Sequence, residues 1–67
     1  MTLAQFKALF DQYYTPIKNF VYYKCGDIDM AEDITQDAFM KLWEKREEIK
    51  EETVKSYLYK IANNMFL

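Results

Sequence analysis

The segment Ala31-Glu32-Asp33-Ile34-Thr35-Gln36-Asp37-Ala38-Phe39-Met40-Lys41-Leu42-Trp43 decides how this chain folds. At about 100° per residue, Met30, Ala31, Ile34, Ala38 and Leu42 fall within roughly a third of a helix circumference, with Phe39 at its margin. This arc is the expected core side. Asp33, Gln36, Asp37 and Met40 gather on roughly the opposite arc, and Trp43 lies at the border beside Gln36. A helix that needed only solubility would mix Lys and Glu at i, i+4 spacing and would not set an apolar Met among acceptors. Two readings fit: an ordinary solvated face with one stray Met, or a face kept for a partner.

Working outward, Gly and Pro occur once each and no stretch sustains the alternation of a half-buried strand, so the expectation is an all-α bundle of three helices. The first starts at Thr2, where Thr2-x-x-Gln5 forms a capping box, and carries Leu3, Phe6, Phe10, Tyr13, Ile17, Phe20 and Val21 at three- and four-residue steps. Pro16 removes a backbone donor inside it, which predicts a kink or break near Tyr14-Thr15 with Pro16 restarting the helix. Gly26 supplies the left-handed stop. The second helix is expected to open at an Asp29 N-cap, with Glu32 three residues on, and to run to about Lys45. The charged stretch 46–52 reads as a loop or frayed extension anchored by Ile49 alone.

The third helix has Thr53 as its expected N-cap and Val54, Leu58, Ile61 and Met65 on its core side. Tyr57, Lys60 and Asn64 form a separate stripe at i, i+3, i+7. A ring, a cation and an amide on one face can stack an unpaired base, neutralise a phosphate and bond a base edge, or can snorkel at a core border. Tyr59 and Phe66 fall roughly opposite the core and, with Leu67, are expected to meet a missing segment or an oligomer partner. The chain stops in mid-helix on apolar residues with no Gly cap, so it is expected to be a fragment.

Composition narrows the function. A chain of 67 residues makes one small domain that can bury only around 60% of its unfolded surface, yet 51% hydrophobic and 18% aromatic content excludes a disordered chain. Nine basic against eleven acidic residues leave a net charge of −2, so long-range attraction to a polyanion is absent. One cysteine and no histidine rule out an internal disulfide, a cysteine–histidine metal cluster and a histidine-based catalytic pair. No secretory signal or membrane-length apolar run is present, and the reading is a soluble cytoplasmic chain. Adjacent acids such as Glu47 and Glu48 in a solvated stretch lack the enclosed geometry of catalytic carboxylates. No enzyme activity, metal or cofactor is expected.

The residues resemble the extracytoplasmic-function group of bacterial sigma factors, in the domain called region two. Phe6 to Phe20, with its Tyr-Tyr-Thr-Pro turn, is similar to the opening helix of that domain. Gly26-Asp27-x-Asp29-x-Ala31-Glu32-Asp33-Ile34-x-Gln36-Asp37-x-Phe39-x-x-Leu42-Trp43 resembles its central helix. Val54-Lys55-Ser56-Tyr57-Leu58-Tyr59-Lys60-Ile61-Ala62-Asn63-Asn64 resembles its promoter-melting helix. The two motifs stand in order with the expected gap.

The resemblance implies a subunit without chemistry of its own that brings core RNA polymerase to a promoter. It places docking on the β′ clamp helices at Asp33, Gln36 and Asp37, with Met40 as an apolar neighbour. It places contacts to the non-template single strand of the minus-ten element at Tyr57, Lys60 and Asn64, with Lys50, Thr53 and Lys55 beside them. It also implies an anti-sigma factor as partner, no membrane insertion, and a continuation into a basic promoter-contacting stretch and a C-terminal helix-turn-helix domain. Glu47, Glu48, Glu51 and Glu52 depart from the family pattern, setting four acids where a polyanion approaches, against Arg46 and Lys50. The alternative reading is a helical interaction adaptor that packs Trp43, Tyr59 and Phe66 into a partner's groove.

Overall fold

Thr2 begins the first helix as its spacing predicts. The Gln5 amide donates to Thr2 Oγ1 (3.1 Å) and Gln5 Oε1 accepts from the Thr2 amide (2.8 Å), so the capping box satisfies two orphan groups reciprocally. In the computed structural model, which describes residues 1–66, this helix, α1, runs without interruption over Leu3–Cys25. The break expected at Pro16 is absent. Pro16 removes the donor that would reach the Gln12 carbonyl, but both residues are exposed, so water can take the freed acceptor while Ile17 and Val21 stay in the core.

Gly26 ends α1 in the left-handed region (φ 70°), its amide donating to the Tyr22 carbonyl at 2.8 Å. The next residue is already a cap: Asp27 is extended, and its Oδ1 accepts from the amides of Asp29 (3.0 Å) and Met30 (3.1 Å). The second helix, α2, therefore spans Ile28–Glu44, and the N-cap is Asp27 rather than Asp29. The reversal completed by Gly26 leaves no room for two further non-helical residues, and Asp29 becomes an acid within the first turn, where the helix dipole favours it.

After a turn, a short 3₁₀ segment over Glu51–Thr53 leads into α3, Val54–Phe66. Thr53 does not cap it by accepting an amide. Its hydroxyl donates backwards to the Lys50 carbonyl at 2.8 Å, because the chain enters α3 through the 3₁₀ turn and the first donors are already engaged there.

Each helix packs on the other two. Ala31, Ala38 and Ala62 are fully buried and let the backbones approach, while Leu42, Val54, Leu58, Ile17 and Val21 fill the space between. Phe39, 2% exposed, is a centre of the packing and not its margin. Its ring meets Phe10 at 4.9 Å, Tyr14 at 6.2 Å and Phe6 edge-on at 6.3 Å. Several core positions differ from the sequence reading. Thr35 is buried where Met30 was expected, its hydroxyl satisfied by the Ala31 carbonyl at 2.7 Å, and Met30 is 46% exposed. Leu9 is buried, facing the connection at Ile49 and Lys50, while Leu3 is exposed and Phe10 packs on Phe39 at the rim of the bundle.

Tyr59 is not left facing solvent: it meets the Phe20 ring of α1 edge-on at 4.9 Å and is half-buried, as is Phe66. Leu67 lies outside the described residues.

Candidate functional site

The four α2 side chains singled out from spacing, Asp33, Gln36, Asp37 and Met40, are all exposed, Met40 at 62%. They span an arc of about 100° centred opposite Ala31, Thr35 and Ala38. Beside them runs an apolar groove of about 430 Å³ between α1 and α2, lined by Phe6, Phe10, Phe39, Met40 and Trp43, with Gln36 and Glu44 at its rim. Gln36 and Met40 thus belong both to the groove and to the acidic face.

Spacing alone did not reveal the groove, since its other wall comes from α1. The nearest signal was Trp43 at the border of the stripe. The Trp43 indole packs on Phe6 at 5.0 Å and carries the Arg46 guanidinium 4.0 Å above its ring. Arg46 also donates to the Trp43 carbonyl at 2.8 Å and so caps the negative end of α2.

The second group of candidates is only partly united. Lys60 and Asn64 are exposed neighbours on α3, next to a half-buried Tyr57. The Tyr57 hydroxyl is buried and has no hydrogen-bond partner among the described residues. Lys55 is exposed but sits about 160° around the helix from Tyr57, on a different flank. Lys50 and Thr53 precede α3, tied to each other through the Lys50 carbonyl. Lys50 borders a second cavity of about 320 Å³ whose walls include Leu9, Ile49 and Glu51.

In the connection, Lys45 pairs with Glu48 at 3.7 Å and Arg46 with Glu47 at 3.9 Å. Those cations are partnered locally, and the stretch presents acid to any approaching polyanion. No helix of the described residues is long and apolar enough to cross a membrane.

These features define a class: a small three-helix domain that presents separate faces of two helices. The family model described as Sigma-70 region 2 matches residues 9–67, nearly the whole chain, and the chain belongs to that family. No curated protein and no solved structure matches it. The chain is a sigma factor domain acting in transcription initiation, a non-enzymatic module of a family that interacts with core RNA polymerase and promoter DNA.

Proposed function

We propose that this domain docks through α2 on the clamp helices of the polymerase β′ subunit and uses α3 to capture the unpaired non-template strand of the minus-ten element. The observation that carries the reading is the pairing of exposed Asp33, Gln36 and Asp37 with an adjoining apolar groove at Met40. A basic amphipathic helix has the complementary chemistry: an apolar anchor enters the groove while Arg or Lys meets the carboxylates, the arrangement of a hot spot with a polar rim. On α3, Tyr57, Lys60 and Asn64 supply stacking, charge and hydrogen bonding to a single strand, with Lys50, Thr53 and Lys55 as flanking contacts.

Within the family, the motifs from Gly26 to Trp43 and from Val54 to Asn64 support a reading of the chain as one of the extracytoplasmic-function group. It acts in the cytoplasm, and an anti-sigma factor would restrain it by covering the same surfaces. The adaptor alternative is weakened at Tyr59, whose ring packs edge-on against Phe20 within the bundle.

The test is calorimetric titration of the chain with isolated β′ clamp helices. Asp37→Arg should weaken binding at least about tenfold, or 1.4 kcal/mol, with unchanged circular dichroism, because Asp37 is exposed and its side chain forms no hydrogen bond or ion pair among the described residues. Equal affinity for the parent and for both Asp33→Arg and Asp37→Arg would refute the docking face.

A further inference from the structure

Lys24, in the last turn of α1, reaches across to α3 and donates from Nζ to Asn63 Oδ1 at 2.8 Å. The same ammonium lies 4.8 Å from the centroid of the Phe20 ring, and Phe20 in turn meets Tyr59, one turn before Asn63, edge-on at 4.9 Å. The arrangement has a chemical consequence. An ammonium carries only donors, so Asn63 must meet it with its oxygen, and the amide nitrogen with both its N–H bonds is turned away from Lys24. Asn63 is half-buried and sits about 60° around α3 from Lys60, on the side of Lys60 that turns from Tyr57 toward Lys24 of α1. Lys24 is itself exposed and spends one of its three donors on Asn63.

We propose that the Lys24–Asn63 pair is a further contact for single-stranded DNA, extending the Tyr57, Lys60 and Asn64 surface of α3 onto the end of α1. Asn63 donates its oriented amide hydrogens to a phosphate or base-edge oxygen, and Lys24 both fixes that orientation and supplies a counter-charge to the backbone. The inference rests on the reading of α3 as the DNA-facing helix. It adds a cation from outside α3 in a chain whose net charge of −2 gives no general attraction to nucleic acid.

Asn63→Asp separates this role from a merely structural clasp. The substitution keeps an acceptor for Lys24, so the melting temperature is expected to hold or rise. It deletes both donors and neutralises the ammonium. The probe is a fluorescein-labelled oligothymidylate of about 12 nucleotides, read by anisotropy across a salt series with the full chain. Asn63→Asp should weaken binding at least about fivefold. Both it and Lys24→Met should reduce the slope of log affinity against log salt by about 0.7, the contribution of one cation on a single strand.

Parent-like affinity and slope in both variants would overturn the proposal. Lys60→Ala tells the two possible failures apart. If Lys60→Ala weakens binding while the Lys24 and Asn63 variants do not, only this contact is wrong; if none of the three changes it, the DNA-facing reading of α3 falls as well.

Discussion

Replacing Asp27 with alanine should destabilise the domain more than the same change at Asp29, although both aspartates stand at the start of α2. Asp27 Oδ1 accepts two main-chain amides, from Asp29 at 3.0 Å and Met30 at 3.1 Å, whereas Asp29 contributes only a charge in the first turn. Losing an N-cap of this kind costs about 1 to 2 kcal/mol. A domain of 67 residues has a total stability on the order of 3 to 10 kcal/mol at about 0.05 to 0.15 kcal/mol per residue. Each kcal/mol moves the midpoint of so small a domain by roughly 4 to 8 °C. Asp27→Ala should therefore lower the melting temperature by roughly 5 to 15 °C, while Asp29→Ala should stay within about 0.5 kcal/mol of the parent, as exposed substitutions do. Asp27→Asn keeps the accepting oxygen and should recover most of the loss. Thermal and urea unfolding followed by far-ultraviolet circular dichroism provide the comparison. A larger loss for Asp29→Ala than for Asp27→Ala would show that the helix begins two residues later and would refute the reasoning.

Phe39→Ala should cost about 3 to 5 kcal/mol, comparable to the whole stability, and abolish a cooperative thermal transition; Phe39→Leu should retain the transition at a lower midpoint. Thr35→Val should be neutral within about 1 kcal/mol in urea titrations, because the Ala31 carbonyl keeps its helical partner when the back-bonding hydroxyl is replaced by a methyl. Tyr57→Phe should leave stability unchanged or raise it by up to about 1 kcal/mol, since the hydroxyl it removes is buried without a partner. A clear loss in the same melt would mean that the hydroxyl is satisfied.

What could be read from the sequence was local. The Thr2/Gln5 capping box and the Gly26 stop involve residues within four positions of one another, and each is met as its spacing predicts. The exposed quartet of α2 was legible for a related reason: helical period alone separates Asp33, Gln36, Asp37 and Met40 from the Ala31, Ala38 and Leu42 side. The misses arise where a second element decides. Leu9 is buried because the connection around Ile49 covers it, and Phe39 is central because α1 brings three rings to it. Tyr59 and Asn63 look unpartnered on a helical wheel, and only the packing of α1 against α3 supplies Phe20 and Lys24. Pro16 does not break α1, because the cost of its missing donor depends on which side of the helix the freed carbonyl faces, a property of the packed bundle.

The acidic connection bears on the order of events at a promoter. Three cations, Lys45, Arg46 and Lys50, stand among four acids between α2 and α3, and the first two are paired within the chain. On the proposed reading the charge available to a single strand comes from Lys60 and Lys24, with Lys50 and Lys55 at the flanks. Up to four such contacts give a salt slope of no more than about −2.8, the mark of weak free binding. Stacking on the Tyr57 ring and amide bonds from Asn63 and Asn64 act only at contact distance and do not draw DNA from afar. A domain of this kind gains effective affinity by being held next to the strand, which turns the second binding step into an intramolecular one. On the proposed reading, docking through α2 therefore comes before strand capture by α3. Because the two faces lie on different helices sharing one core, a charge reversal at Asp37 should abolish promoter opening without altering the intrinsic affinity of the free chain for oligothymidylate.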